Sequence, residues 1–344
     1  MMNIGSIQPK VRIPFFDTAK GILIVFLVFH HIINMAKGKM SIENLEFITQ
    51  WDILYVPYFM QAFFFITGYC SSFDKSAKDF ILSNAKALLI PLLFFSIVNQ
   101  LVSWIVDVDN FFYVTVLGTR FFFVVELYWF LSALFIAKLL LFAIVRCSSK
   151  TIIQFIMVLI PFIGAIALNT KHFHYYNWFH WHNGLVNLMF LWVGYTLRHT
   201  EVLKGHLKKY GLIAFILYLI GLVVFNILGK GIPYYTHFPH FNLKQTPFFL
   251  YFSLTGTFMI LYLGEIIQKS KLLIFLGKNS IVVYGIHFSI LNIIIFIMSS
   301  LYIPASHIQG LVLYCVVGGA TLLISYCFCL LFQKKPFTYL IGKF

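Results

Sequence analysis

The sequence predicts an all-α, polytopic membrane protein of about ten transmembrane helices, and two observations carry that prediction. Hydrophobic residues make up 60% of the 344 and charged residues 10%, with a mean hydropathy of +0.89, whereas a soluble domain carries roughly 25% charged residues. The apolar residues are also gathered into stretches near the roughly 20 residues that a helix needs to cross a hydrocarbon core. These fall at about 15–35, 53–73, 82–105, 121–145, 151–169, 184–198, 210–228, 247–268, 279–300 and 309–332. Backbone in lipid must satisfy its own hydrogen bonds, so each stretch is expected to close as a helix. The sixth is short, and its Trp181, Trp192 and Tyr195 suit a headgroup-level position as well as a buried one.

The net charge of +14 does not point to nucleic acid, because the basic residues are sorted by side rather than clustered. With the N-terminus inside, Lys10, Arg12, Lys75, Lys78, Lys86, Arg146, Lys150, Arg198, Lys204, Lys208, Lys209, Lys269, Lys271, Lys278, Lys334, Lys335 and Lys343 are cytoplasmic, seventeen of the 25. Six, Lys37, Lys39, Arg120, Lys171, Lys230 and Lys244, lie outside, and Lys20 and Lys138 fall within spans. Seventeen against six predicts an N-in, C-in topology with an even number of crossings. No small-residue cleavage site follows the first span, so it is expected to stay in a protein of the plasma membrane. The five cysteines show neither metal-ligand nor disulfide-framework spacing and read as packing residues. No linker or repeat divides the chain, which reads as a single membrane domain over 1–344.

The first span holds the most informative polar residues. Asp17, Thr18, Ala19, Lys20 and Gly21 open it and His30-His31 stand near its end. An ionisable group deep in a bilayer-length helix costs at least about 2.5–3.5 kcal/mol, so such groups usually line an interior path. At about 100° per residue, Lys20 lies about 60° and His31 about 40° from Asp17, whereas His30 points about 140° away. Asp17, Lys20, Ile24, Val28 and His31 therefore share one stripe, about 21 Å long between Asp17 and His31. Asp17 also suits the positive end of a helix that starts near Pro14, with Lys20 as its i+3 partner. His31 needs a separate account, either as a hydrogen-bonded core residue or as a general base that takes a proton from a hydroxyl.

Other candidates are more scattered. Glu126 sits near the outer end of the fourth span beside Tyr128 and Trp129, where it either pairs with Arg120 or serves the path. Tyr284 and His287 share a face of the ninth span at i and i+3. The connections 169–183 and 229–246 mix aromatics, amides and imidazoles, among them His172, His174, His180, His182, Trp178, Trp181, Tyr234, Tyr235, His237 and His240. Such mixtures suit a headgroup belt, with a minority of residues free to stack on sugar. A zinc site among the four histidines of the first connection lacks acidic or cysteine partners, and no metal is expected.

The run Phe16-Asp17-Thr18-Ala19-Lys20-Gly21 to Phe29-His30-His31 resembles the opening signature of the acyltransferase 3 family, integral membrane acyltransferases with an acidic residue, a basic residue three later and a histidine fourteen later. Four further segments resemble the family in order: Gln61 to Tyr69 with its Thr67-Gly68, Leu88-Leu89-Ile90-Pro91, Leu127 to Phe135 around Trp129-Phe130-Leu131, and Leu276-Gly277-Lys278-Asn279-Ser280 with Tyr284 and His287. The chain departs from the family where an Arg-x-x-Arg pair is common before the third-helix proline. Ala85 and Leu88 stand in that region, and Lys86 is its one basic residue. The resemblance implies transfer of an acyl group, commonly acetyl from acetyl-CoA, to a hydroxyl of a cell-envelope saccharide or polysaccharide. Carried onto this chain, it implies His31 as base with Asp17 and Lys20 in the polar path. Lys20, Lys86 and Lys278 would hold the anionic acyl-CoA, and Glu126, Trp129, Tyr284 and His287 the acceptor. The rival expectation is an exporter of polysaccharide or small molecules that uses the same stripe.

Overall fold

The computed structural model describes residues 13–36, 46–106, 126–168, 178–198, 200, 202–234, 241–302 and 304–343. Among them there are helices and turns and no strand. The helices are α1 (Pro14–Ala36), α2 (Phe59–Cys70), α3 (Ala77–Val106), α4 (Trp129–Cys147), α5 (Thr151–Ala167), α6 (Trp181–Arg198), α7 (Val202–Ile227), α8 (Thr246–Ile266), α9 (Lys271–Lys278), α10 (Ser280–Leu301), α11 (His307–Leu331) and α12 (Phe337–Leu340). Each of the ten apolar stretches overlaps one of these. Eight are long and apolar enough to cross a membrane, counting Gln50–Cys70 as one. Of the other two, α5 has 17 residues, and α6 carries His182, Asn183 and Asn187 among its apolar residues.

Two stretches differ from the sequence expectation in detail. The second does not run as one helix from residue 53. A 3₁₀ turn over Glu46–Leu54 and an irregular turn precede α2. Pro57 lacks a backbone donor and restricts its predecessor, and Asp52 is engaged by His30. The fourth stretch becomes helical at Trp129; residues 107–125, Arg120 among them, lie outside the described part.

Burial separates the centre of the bundle from its rim. Of the apolar window in Gln50–Cys70, 78% is buried, and in α10 61%, against 22% in α3 and in α7. The rim helices present exposed aliphatic side chains such as Ile152, Ile160, Val223, Ile227, Val312 and Leu323, as faces turned to lipid do. Without a hydrophobic drive between helices in lipid, close backbone approach at small residues holds a bundle together. A Cβ at Gly68 would lie 1.9 Å from the Leu191 carbonyl oxygen, and one at Gly194 would lie 2.0 Å from that of Phe65. Each of α2 and α6 thus supplies the glycine that the other's backbone touches. A second seam joins α1 and α9, where a Cβ at Gly21 would meet the Leu273 oxygen at 2.1 Å and one at Gly277 the Asp17 oxygen at 1.8 Å.

Candidate active site

The polar stripe of α1 is enclosed by this packing. Pro14 opens the helix, where its missing N–H costs nothing, and Asp17 falls in the first turn. Lys20 Nζ lies 2.8 Å from Asp17 Oδ1, with 5% of the aspartate side chain and 25% of the lysine side chain exposed. Above them Ile24 and Val28 are buried, and His31 is half-buried. The α9 glycine explains why Asp17 is so enclosed, since any larger residue at 277 would strike its carbonyl.

Lys20, Ile24 and Leu27 form one wall of a cavity of about 210 Å³. Met60, Phe63 and Thr67 of α2, Leu88 of α3, Phe130, Leu131 and Leu134 of α4, and Ser280, Ile281 and Tyr284 of α10 complete it. The lining is mainly apolar, with the Lys20 ammonium as the one full charge among the described residues. Such a cavity suits a slender, mainly apolar ligand segment with a polar group near Lys20.

At the other end of the stripe His31 packs against α10. Its ring centroid lies 4.5 Å from that of Phe288 and 5.3 Å from that of His287. His287 is fully buried, and its Nδ1 lies 2.7 Å from the Tyr284 carbonyl and 3.2 Å from that of Val283. A carbonyl only accepts, so Nδ1 carries the proton and Nε2 of the neutral ring is left as an acceptor. That Nε2 has no hydrogen-bond partner among the described residues. Tyr128 donates its hydroxyl to the Gly285 carbonyl at 2.8 Å and sets its ring 5.8 Å from Phe288.

The structure therefore brings together Asp17, Lys20, Tyr284, His31 and His287 along α1 and α10. Trp129 is buried, with its ring 6.4 Å from that of His180, and it lines no part of the cavity. Lys86 and Lys278 are exposed and stand off the cavity wall. The Glu126 side chain lies outside the described part, as do residues 169–177 and 235–240 of the two polar connections. In what is described of the first connection and the start of α6, His180, His182 and Asn183 are buried in the bundle rather than displayed for sugar. His182 Nε2 lies 2.6 Å from the Ala165 carbonyl.

Two contributors escaped the sequence reading. Tyr128 is the fourth-span aromatic that reaches the His31 region, one residue before the expected Trp129. His30, turned away from the stripe, has its Nδ1 3.0 Å from Asp52 Oδ2. No local signal marks either; both depend on which helices become neighbours.

The fold and site define a polytopic membrane protein with an enclosed ion pair on α1 and, farther along, a half-buried histidine packed against a fully buried one of α10. A family model described as an acyltransferase domain, that of the acyltransferase 3 family, matches residues 13–330. The chain belongs to that family. No curated protein and no solved structure matches it.

Proposed function

We propose that the protein is a plasma-membrane O-acyltransferase that moves an acyl group, acetyl in the simplest case, from acyl-CoA to a hydroxyl of a cell-envelope saccharide. The observation that carries this reading is the placement of Lys20 on the cavity wall and His31 about 16 Å farther along the same helical stripe. A donor entering beside Lys20 can bring its thioester toward His31 while the acceptor arrives from the opposite end. With the N-terminus inside, these ends are the cytoplasmic and external faces, and Lys86 and Lys278 offer charge to the CoA phosphates.

His31 takes the proton of the acceptor hydroxyl as the oxygen bonds to the thioester carbonyl carbon. The C–S bond breaks, and the proton ends on the thiolate, so CoA leaves as the thiol. His287, with its proton fixed on Nδ1, offers Nε2 to orient either the acceptor hydroxyl or the His31 ring. Tyr284, which lines the cavity, is assigned to the acceptor, and Trp129 packs behind it through Phe130.

The test is thiol release from acetyl-CoA by purified protein in detergent, with and without a panel of soluble oligosaccharides. Acceptor-dependent release is expected, and His31→Ala should reduce it by about 10²–10⁴-fold, the usual worth of a general base. Normal release by a folded His31→Ala protein would remove His31 from the chemistry. No release from any acyl-CoA with any acceptor would overturn acyl transfer and favour the exporter.

A further inference from the structure

His30 and His31 are adjacent, so a helix must turn them to different neighbours. His31 faces α10, and His30 faces the segment that precedes α2. There His30 Nδ1 meets Asp52 Oδ2 at 3.0 Å, and the Tyr55 hydroxyl donates to the other oxygen of the same carboxylate. The His30 side chain is 14% exposed and that of Asp52 25%, so the pair sits at the rim, within reach of water. The two imidazole rings remain close, edge to face with centroids 5.1 Å apart. A carboxylate on Nδ1 fixes the ring's orientation, as in other imidazole–carboxylate pairs.

We propose that His30, oriented by Asp52, is a positioning residue that holds a proton for His31 during acyl transfer, an inference that rests on the acyltransferase reading above. When the acceptor O–H bond breaks, His31 takes the proton and passes it to His30, directly or through one water. His31 is then neutral while the new C–O bond forms. As the C–S bond breaks, the proton returns through His31 to the thiolate. The products are the ester and the CoA thiol, with no net proton released and no further reactant required.

The groups around His30 are consistent with this role. His31 adjoins it on α1, and Asp52 and Tyr55 face it from the segment before α2. Tyr314 of α11 lies beside Tyr55. Tyr234 lies near Asp52, and burial and that carboxylate push its hydroxyl above the ordinary range. His287 stands on the far side of His31. Asp52 is the one carboxylate of this group among the described residues.

The test is the pH profile of kcat/KM for acetyl-CoA-dependent transfer by the full chain in detergent, for wild type, Asp52→Asn, His30→Gln and an exposed control, Asp74→Asn. Asp52→Asn keeps an acceptor for Nδ1 but loses the charge. Its pH profile should differ from that of wild type, because the charge facing the imidazole is gone. His30→Gln should lower kcat by about 100-fold, with partial recovery in added imidazole. Asp74→Asn should match wild type. Unmoved profiles and normal kcat in both Asp52→Asn and His30→Gln, beside active wild type, would overturn this role and leave His31 as the sole proton carrier. A wild type that transfers nothing would overturn the acyltransferase reading and this inference with it.

Discussion

Lys20→Met will lower the unfolding midpoint of the detergent-solubilised protein by the equivalent of about 3 kcal/mol, while Lys20→Arg will retain most of the stability. The ammonium lies 2.8 Å from an Asp17 side chain that is 5% exposed. Removing the cation leaves that carboxylate enclosed without it, and losing one partner of a buried pair costs about 3–5 kcal/mol. The lower end applies because Lys20 is itself a quarter exposed. The methionine fills similar volume, so a fall in the midpoint reports charge rather than packing. Arginine brings a charge of the same sign on a planar head, and a smaller loss is expected. Equal midpoints for Lys20→Met and wild type would show that the pair contributes nothing to the fold.

Gly277→Ala will disturb the same aspartate from the other side. The added methyl would lie 1.8 Å from the Asp17 carbonyl oxygen and 2.9 Å from the Gly21 nitrogen. Backbone cannot rotate aside as a side chain can, so α9 must separate from α1. Overpacking of this kind costs about 1–3 kcal/mol, and more where the neighbours cannot give. Gly319 supplies the comparison, since it lies inside α11 with nothing within 4 Å of its missing Cβ. There alanine should be neutral or stabilising by up to about 1 kcal/mol through helix propensity. Thermal unfolding of both variants checks the difference; equal midpoints would rule out the close approach of α9 and α1. Transfer activity should fall with Gly277→Ala beyond the effect of stability, because Asp17 and Lys20 shift with the backbone.

The helices were legible in the sequence because crossing lipid requires long apolar runs, and the bilayer enforces that requirement wherever the helix sits in the bundle. The Asp17–Lys20 pair was legible because it is local, set by i,i+3 spacing within one helix. The stripe toward His31 followed from rotation alone. What rotation could not supply was a neighbour. His287 is 256 positions from His31, and its place beside that ring depends on α10 packing against α1. The apolar pattern begins the second span at residue 53 and gives Asp52 no role, and the 3₁₀ turn that brings it to His30 became clear only in three dimensions. His30 was set aside for pointing away from Asp17, which is true, yet its direction is what places it on a carboxylate. The glycines of the Thr67-Gly68 and Leu276-Gly277 segments were visible as family likeness. Their physical reason, a neighbouring carbonyl within the volume of a methyl group, needed the partner helix.

The glycine seams also make the cavity mechanically uneven. Two of its five walls, α1 and α2, are each clamped backbone to backbone onto a neighbour, α9 and α6. Such contacts have no side-chain layer to compress, so these walls are stiff. The α3 wall is held the same way beside Leu88, where a Cβ at Gly342 would lie 2.1 Å from the Lys86 carbonyl oxygen, whereas α10 meets α3 through the Phe95 ring over Gly285. The α10 wall rests on a side chain and is therefore the more compliant. A ligand bulkier than the resting cavity will be admitted by displacement of that wall, with the Asp17–Lys20–His31 edge acting as the fixed datum against which it is held.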